Sequence, residues 1–583
     1  MVVKQTITWG YNLKVTLFSN SKFIVFLIII YPLLFIWQGF DFIDTGYSLT
    51  SYQQIFNDPE SVSYGFVNWL TNIIGGLWIL LFGDSLGLLG INIAGILVFY
   101  LTIWLSYLIL KPYIEQKYLL IGLLLALIFI RNFLFFLYYN NLTSLFFFAS
   151  ALFIINGLRN SKNWQIIISG LLLGFNIFIR LPNVLGFSLI FGIFFYGYIS
   201  KNTVMIQVKQ TISFVLGYAT AILLTILAMK TLGHYEIFVN SLSMLFNMAS
   251  DTKASHNFPA LFVIYVKEYM KVIVFLFIGC LVLLVISKFF SLFKKHYLYY
   301  GFVITLGIVT LLCLLSNYQV KFTHYVILMS VGFLYLILLS YITNIEKSTA
   351  NFRLVCSIAL LILIITPLGS TNGQRIATYG MWIPIPIAFF YIFRLKDMSI
   401  EFKSTKNLSS NKFKFGLNIK ETNLLRNFTV TSFIVFSLLS ALLYTYQDSP
   451  NRIDMRYSIK NQRLKGIFTT KEKALAVEEL LIEMNKYVNE NDYLLAYNAI
   501  PMLYFLTKTK PYLYNSWTAF YSSYQLKQAL EKAMNERQYL PVAVRKRSTI
   551  EDGNIIDEFI DRNGYSLAWK NDFFDILVPP IQR

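Results

Sequence analysis

Long uninterrupted apolar runs recur along most of this chain, and they constrain its fold more than any other feature. Each run of about 20 residues is long enough, as a helix, to cross a hydrocarbon core ~30 Å thick. Only 14% of the 583 residues are charged, whereas soluble domains carry about 25%. The sequence therefore predicts an all-α polytopic membrane protein. It excludes a soluble enzyme, a disordered scaffold, a coiled coil and a small secreted disulfide protein.

The apolar runs predict thirteen membrane spans, the first of which is an uncleaved signal-anchor. The spans are expected at 23–40, 87–110, 118–136, 142–157, 164–179, 183–199, 210–231, 265–287, 297–315, 324–343, 354–368, 379–394 and 427–446. The segment 66–82 is a further candidate, but Asn68, Asn72, Gly75 and Gly76 interrupt it. Its apolar positions follow helical spacing, so we expect it to lie along the membrane interface.

The distribution of positive charge predicts the orientation. With thirteen spans, most Lys and Arg of the short connections fall on the side of the N-terminus, including the basic loop 394–426. Because such residues favour the cytoplasmic side, we expect a cytoplasmic N-terminus and an extracytoplasmic C-terminus. The net charge of +19 is then mainly a consequence of topology. We expect the basic loop to contact anionic lipid, and we expect no nucleic-acid partner.

The composition divides the chain into two domains. Residues 1–446 form the membrane module, with a first loop at 41–86 that is expected on the outer face. Residues 447–583 are polar and predict a small extracytoplasmic α/β domain, called the C-terminal domain below. Its predicted elements are a helix at 471–489, a strand at Leu494–Tyr497, helices near 499–507 and 523–537, and strands at 541–545 and 574–578.

Polar residues gather at the expected outer ends of the spans, and two of them are carboxylates directly after the first span. Asp41 and Asp44 would be partly desolvated there, which raises a carboxylate pKa towards the range of a general base. Alternatively, they cap the interfacial helix. The chain has no Walker A loop, HExxH motif or CxxC pair, and we expect neither a metal nor a cofactor.

Three outer span entrances carry cations. Arg180 lies in a tight Arg-Leu-Pro-Asn re-entry, Lys321 and His324 open one span, and Arg375 precedes another. An arginine at membrane depth needs a carboxylate or phosphate partner, or it snorkels to the headgroups. Together these cations predict an anion pocket that faces an acidic loop. The neighbouring tyrosines Tyr138 and Tyr139 fit either this pocket or an aromatic belt.

These residues resemble those of the GT-C glycosyltransferases, in particular the dolichyl-phosphate-mannose protein mannosyltransferases and the lipid A aminoarabinose transferases. The similar segments are Asp44-Thr-Gly-Tyr47, Leu81-Phe-Gly-Asp84-Ser-Leu, Gly170-Leu-Leu-Leu-Gly174 with Arg180-Leu-Pro182, Lys321-x-x-His324-Tyr325, and Arg375 with Tyr379 and Pro384-Ile-Pro386. The resemblance covers residues 1–400 in architecture. One departure is Thr45, where the family often has Glu; this leaves Asp41 as a rival base or as a partner that tunes Asp44.

The resemblance implies an enzyme that transfers a sugar from a polyprenyl-phosphate carrier to an acceptor on the extracytoplasmic face. Asp44 would be the base, and Arg180, Arg375, Lys321 and His324 would hold the lipid phosphate. We expect the substrate to be lined by Tyr47, Tyr138, Tyr139 and Tyr379. The membrane would be a bacterial inner membrane.

Two other functions fit a polytopic chain: a lipid-linked glycan flippase or transporter, and an O-antigen polymerase or ligase-like enzyme. A flippase should carry functional charges at several membrane depths and show internal repeats. The acceptor is a lipid, a glycan or a protein. In the C-terminal domain, five aromatic residues either stack on sugars or form its core: Tyr497, Tyr504, Tyr512, Tyr514 and Trp517.

Overall fold

The protein is mostly helical, with a small mixed sheet near its C-terminus. The computed structural model describes residues 21–130, 136–250, 258–292, 301, 304–305, 307–312, 319–344, 348–394, 398–402, 413–417, 419–443, 445–446, 448–449, 451–547 and 553–580. Helices of the membrane module are Ser21–Leu33, Asp44–Gln54, Trp69–Leu110, Gln116–Ile130, Tyr139–Arg159, Asn163–Ile179, Phe191–Ser200, Val204–Thr231, Tyr235–Ser250, Phe258–Leu292, Gln319–Thr343, Ala350–Ile365, Pro384–Arg394 and Ile419–Leu443. Three 3-10 segments join them: Pro59–Asn68, Leu181–Ile190 and Gly373–Gly380.

Six helical segments are long and apolar enough to cross a membrane among the described residues: Pro59–Leu110, Tyr139–Arg159, Leu181–Ser200, Val204–Thr231, Lys321–Thr343 and Arg426–Leu443. A seventh is counted if the pair Gly373–Gly380 and Pro384–Arg394, bent by 76°, forms one span. Four shorter apolar helices are Ser21–Leu33, Gln116–Ile130, Asn163–Ile179 and Ala350–Ile365. The number thirteen therefore stays a prediction, and much of the expected span 297–315 lies outside the described residues.

The segment expected along the interface is joined to the next span by a break rather than by a loop. Within Trp69–Leu110, Gly87 has φ 49° and ψ −134°, so two helices meet at this residue. Glycine is suited to a positive φ because it has no Cβ. A Cβ at Gly87 would lie 2.1 Å from the main-chain oxygen of Arg463 in the C-terminal domain. The main chain of that domain therefore packs directly against the break.

The C-terminal domain contains a five-stranded sheet in the order β6-β5-β7-β9-β8. The strands β5 (Tyr493–Tyr497), β6 (Lys510–Pro511) and β7 (Val542–Lys546) are parallel, and β8 (Ser566–Lys570) and β9 (Phe574–Val578) are antiparallel. Its helices are Lys471–Met484, Met502–Thr507, Ser523–Arg537 and Gly553–Arg562. The predicted strands and helices of this domain are therefore confirmed, although the first helix ends at Met484. The sequence does not predict strands β6 and β8 or the helix Gly553–Arg562.

Two short hairpins complete the described strands. β1 (Met398–Phe402) pairs with β2 (Phe413–Leu417) in the basic segment that the sequence predicts as a loop. β3 (Tyr457–Ser458) pairs with β4 (Phe468–Thr469) at the start of the C-terminal domain.

The first loop packs directly on the C-terminal domain. Gly46, in the helix Asp44–Gln54, faces the main chain of Met502, whose N–H donates to the oxygen of Phe42 at 3.1 Å. One turn later, the Thr50 hydroxyl donates to the oxygen of Pro501 at 2.9 Å. The helix that begins at Asp44 is therefore held between the membrane module and the C-terminal domain.

Candidate active site

Asp41 is a capping residue of the first-loop helix. Its carboxylate accepts hydrogen bonds from the main-chain N–H groups of Ile43 at 2.8 Å and Thr45 at 2.7 Å. It is 5% exposed. Burial, and then repulsion by Asp44, raises its pKa to about 6, although these hydrogen bonds oppose the shift. Both oxygens of Asp41 are thus occupied by the N–H groups that a helix leaves unpaired at its start.

Asp44 begins the same helix, but its carboxylate contacts a side chain rather than the main chain. The hydroxyl of Tyr446, which follows the last helix of the membrane module, donates to Asp44 Oδ2 at 2.5 Å. Burial raises the pKa of Asp44, and the hydrogen bond from Tyr446 partly offsets this shift. Such a carboxylate is a better proton acceptor than a solvated one, because its protonated form is favoured.

Three of the tyrosines expected to line the substrate site surround Asp44. The phenol groups of Tyr138, Tyr139 and Tyr379 lie within electrostatic range of its carboxylate. Tyr138 and Tyr139 begin the helix Tyr139–Arg159, with ring centroids 3.9 Å apart. Tyr379 is 2% exposed, and its main-chain oxygen accepts from Ser144 at 2.7 Å. The two tyrosines at 138 and 139 therefore belong to the acidic site.

Arg180 is a neighbour of the same tyrosines. Its guanidinium interacts electrostatically with Tyr139, Tyr138 and Tyr265. It is 6% exposed and donates to the main-chain oxygens of Thr366 at 3.1 Å and Leu368 at 2.9 Å. Asp44 and Arg180 thus share Tyr138 and Tyr139 as neighbours.

Among the described residues, the guanidinium of Arg180 is paired with main-chain carbonyls rather than with a carboxylate, and its phosphate-binding role stays a prediction. The helix Ala350–Ile365 ends directly before Thr366, and the carbonyls at a helix C-terminus lack helical donors and carry partial negative charge. The C-cap carbonyl of Thr366 is one such group, and the carbonyl of Leu368 in the following turn is a second acceptor for the guanidinium. The sequence could not indicate this, because these carbonyls are 186 and 188 residues away along the chain.

His324 is paired with a carboxylate that the sequence analysis did not consider. Its Nε2 lies 3.1 Å from Glu268, which also contacts Lys271 Nζ and accepts from the N–H of Gln374 at 3.4 Å. The second nitrogen of the ring, Nδ1, is buried without a hydrogen-bond partner among the described residues. The nitrogen Nε2 is therefore occupied by a protein carboxylate, and a phosphate-binding role for His324 stays a prediction. Lys321, at the start of this helix, is exposed.

Arg375 differs from the other predicted cations. It lies on the 3-10 segment Gly373–Gly380, one residue after Gln374 and four before Tyr379, and it is half-buried. Its main-chain oxygen accepts from Thr378 at 2.8 Å. Within the described ranges, its guanidinium forms no hydrogen bond or ion pair. Because five N–H donors remain for a ligand, Arg375 fits the predicted anion-binding role.

Tyr47 lies on the side of the site formed by the C-terminal domain. Its ring is 6.3 Å from that of Trp517 and 5.5 Å from that of Phe520. The other four aromatic residues considered for sugar stacking, Tyr497, Tyr504, Tyr512 and Tyr514, are at most 6% exposed and belong to the domain core. Trp517 alone of the five contacts the first loop through its ring.

Tyr446 and Glu268 are the polar residues of this region that sequence reasoning missed. Tyr446 follows the last apolar run. Because tyrosines are common at membrane interfaces, its position does not indicate a role in the site. The position of Glu268 does indicate a polar role, because it is an acid near the start of an apolar run and Lys271 follows three residues later. No group of three His, Cys, Asp or Glu side chains is placed to hold a metal in the part of the chain that the structure describes.

A separate cleft of about 390 Å³ lies between the end of the first loop and the C-terminal domain. It is lined by Asp84, Arg463 and Lys508 among other residues, and it contains none of the predicted site residues. Arg463 pairs with Asp84 at 3.0 Å, and Lys508 lies 3.5 Å from the same carboxylate. These charges satisfy one another, so we place the candidate site at Asp44 rather than in this cleft.

Comparison with known proteins identifies no family for this chain. It matches no protein-family model, and it has no significant match among curated proteins.

Proposed function

We propose that this chain is an integral-membrane glycosyltransferase that uses a polyprenyl-phosphate sugar as its donor. The observation that carries the proposal is the polar cluster in which Asp44 and Arg180 share Tyr138 and Tyr139 as neighbours. A desolvated base and a buried cation at one site are the two groups that sugar transfer from a phosphate requires. The resemblance of the first 400 residues to GT-C enzymes supports the same reaction.

In this reaction Asp44 is the base. It removes the proton from an acceptor hydroxyl as the oxygen of that hydroxyl attacks the anomeric carbon of the donor. The bond between the anomeric carbon and the phosphate oxygen breaks, and polyprenyl phosphate leaves with the electron pair. Tyr446 holds the carboxylate in place. Asp41 is unsuited to this task because its oxygens already cap the helix.

Cations stabilise the negative charge that develops on the leaving phosphate. Arg375 supplies a guanidinium that has no partner among the described residues, and Arg180 supplies a buried one whose carbonyl partners hold it in place. Tyr139 and Tyr379 lie near Asp44, and we propose that they bind hydroxyls of the sugar between the base and the phosphate. No resident cofactor is needed, since the sugar arrives activated on its lipid carrier.

The proposed setting is a bacterial inner membrane crossed thirteen times. The N-terminus is cytoplasmic, and the C-terminal domain covers the site from the extracytoplasmic face. The contacts of Gly46 and Thr50 with the C-terminal domain support this arrangement, because the domain and the first loop touch directly.

The proposal is tested by turnover of purified protein in detergent with a panel of undecaprenyl-phosphate sugars. The readout is released undecaprenyl phosphate. We expect Asp44→Asn to lower the rate about 100-fold or more, because general-base catalysis is typically worth 10²–10⁴-fold. Asp41→Asn, which keeps one hydrogen-bond acceptor for the helix cap, should retain most of the activity. Loss in Asp41→Asn with full activity in Asp44→Asn would assign the base to Asp41.

The phosphate site is tested by donor affinity in the same assay. Arg375→Ala should raise the apparent donor KM about tenfold, since a hydrogen bond to a charged group is worth about 1.5–3 kcal/mol. Arg394→Ala is the matched control. Arg394 ends the next helix and pairs with exposed Glu115 at 2.6 Å, and such surface pairs contribute little. Carrier movement across liposomes without release of undecaprenyl phosphate would instead identify a flippase.

A further inference from the structure

The loop Tyr514–Phe520 of the C-terminal domain lies directly against the first loop. It follows β6 and precedes the helix Ser523–Arg537. The hydroxyl of Ser63 and the N–H of Tyr64 both donate to the main-chain oxygen of Tyr514 at 3.3 Å. The 3-10 segment Pro59–Asn68 therefore fixes the beginning of this loop, called the aromatic loop below.

Aromatic rings from both parts of the protein meet at the aromatic loop. The ring centroids of Trp517 and Phe520 are 4.7 Å apart. The ring centroid of Tyr47 is 6.3 Å from that of Trp517 and 5.5 Å from that of Phe520. Tyr64 stacks on Phe520 at 5.9 Å. Because Tyr47 is three residues after Asp44 in one helix, both side chains lie on the same face of that helix. The aromatic group is thus next to the proposed base.

Three consecutive residues of the aromatic loop carry polar atoms without a partner. Asn515 Nδ2, Ser516 Oγ and Trp517 Nε1 are buried and form no hydrogen bond among the described residues. Asn515 is 1% exposed and Ser516 is 2% exposed. The Oδ1 atom of Asn515 accepts from the N–H of Trp517 at 3.1 Å, so the amide is held with its donor end unused. Buried polar groups are nearly always paired, and exceptions require an explanation.

We propose that the aromatic loop is the acceptor subsite and that the acceptor is a neutral saccharide. This inference rests on the proposed transferase function and adds the chemical class of the acceptor. Aromatic ring faces pack on the C–H faces of a sugar, while an amide N–H₂, a hydroxyl and an indole N–H bind its hydroxyls. The three unpartnered groups are uncharged, which suits a polyhydroxylated ligand better than a phosphate or an acidic one. A lipid tail would leave them unpaired.

The subsite is tested by fluorine NMR of protein labelled with 5-fluorotryptophan. The chain has nine tryptophans, and Trp517→Phe assigns the resonance of Trp517. The probes are methyl glycosides of the common neutral hexoses and an end-blocked tripeptide that contains threonine, all added without donor. We expect at least one glycoside to shift the Trp517 resonance saturably, and the peptide to leave it unchanged. No shift with any glycoside, or a shift with the peptide, would overturn the saccharide proposal.

Two variants connect this binding with the unpartnered amide. Asn515→Asp keeps Oδ1 as the acceptor for the N–H of Trp517 but replaces the Nδ2 donor, so we expect it to weaken glycoside binding at least tenfold. Tyr524→Phe is the control, because Tyr524 is 71% exposed in the same domain. Equal glycoside affinity in the wild type and Asn515→Asp would overturn the assignment of the amide.

The two proposals fail in different ways. Glycoside binding at Trp517 without release of undecaprenyl phosphate from any donor would support the saccharide subsite and count against the transferase. Release that depends on Asp44, with no glycoside binding and no effect of Asn515→Asp on the acceptor KM, would support the transferase and overturn the subsite.

Discussion

At the scale of single residues, the two acids of the first loop differ in what their oxygens already bind. Asp41 accepts two main-chain N–H groups of its own helix, whereas Asp44 accepts the hydroxyl of Tyr446. A main-chain cap fixes the carboxylate by local geometry, and a substrate would have to break that cap to use it. Tyr446 donates to Oδ2 of Asp44, and Oδ1, which has no hydrogen bond among the described residues, can accept from an acceptor hydroxyl. Hydrogen bonding therefore favours Asp44 over Asp41 as the proposed base, although both acids are desolvated.

Tyr446→Phe should change the pH dependence of the reaction. The phenol donates to the ionised carboxylate of Asp44 and so lowers its pKa; its removal raises that pKa further. Since the base acts in its ionised form, the acid limb of kcat/KM should move to higher pH. The measurement is kcat/KM between about pH 5 and 8.

The control for this profile is Tyr457→Phe, because Tyr457 is 46% exposed at the start of the C-terminal domain. It should leave the acid limb in place. An acid limb that is the same in Tyr446→Phe and the wild type would show that Tyr446 does not bind the base during turnover.

At the scale of helices and strands, the sequence predicts the individual elements better than the tertiary contacts between them. Long apolar runs predicted helices such as Tyr139–Arg159 and Val204–Thr231, and a short apolar run predicted β5, because each of these patterns is local. The partners of Arg180 and Asp44 come from segments that are 186 and 402 residues distant. Periodicity carries no information on such contacts, so the cations were predicted as a group while their actual partners were not.

Gly46 shows how two elements depend on one small residue. A Cβ at this position would lie 2.3 Å from the main-chain nitrogen of Met502 and 2.6 Å from its Cα atom. Main-chain atoms cannot move aside as the end of a side chain can. The absence of a side chain at Gly46 therefore permits the close packing of the first-loop helix on the helix Met502–Thr507.

Gly46→Ala should loosen the C-terminal domain from the first loop. Overpacking of this kind costs about 1–3 kcal/mol, and a contact with the main chain belongs to the upper part of that range. We expect a lower midpoint of thermal unfolding in detergent and faster proteolysis of the C-terminal domain. Gly301→Ala is the control, because a Cβ at Gly301 meets nothing within 4 Å. Equal midpoints for the two variants would show that the helices separate without cost.

At the scale of the whole molecule, one buried ion pair joins three parts of the chain. Asp448 follows the last membrane helix, Lys473 belongs to the C-terminal domain, and Phe40 ends the first membrane segment. Lys473 Nζ lies 3.0 Å from Asp448, whose other oxygen accepts the N–H of Phe40 at 2.7 Å, and Lys473 also donates to the oxygen of Phe40. The side chain of Asp448 is 1% exposed. This junction fixes the C-terminal domain relative to the loop that carries Asp44.

A double-mutant cycle on this junction should show strong coupling. Lys473→Met leaves the carboxylate of Asp448 buried without its cation, and such a loss costs about 3–5 kcal/mol. Adding Asp448→Asn removes the uncompensated charge, while the amide still accepts one of the hydrogen bonds from Thr469 and Phe40. The double variant should therefore be more stable than the two single effects predict when added, by about 1–3 kcal/mol.

Two measurements separate the effects of Lys473→Met. The midpoint of thermal unfolding reports stability, and the rate of undecaprenyl phosphate release reports the geometry of the site. Lys473→Met should lower both, and the rate should fall even at temperatures where the protein stays folded, because Asp44 is no longer held against Tyr446. Lys486→Met is the control, since Lys486 pairs with Glu483 at 2.7 Å on the exposed surface of the same domain. Strictly additive effects in the cycle would mean that Asp448 and Lys473 do not interact. A normal rate in folded Lys473→Met would separate the junction from the geometry of the site.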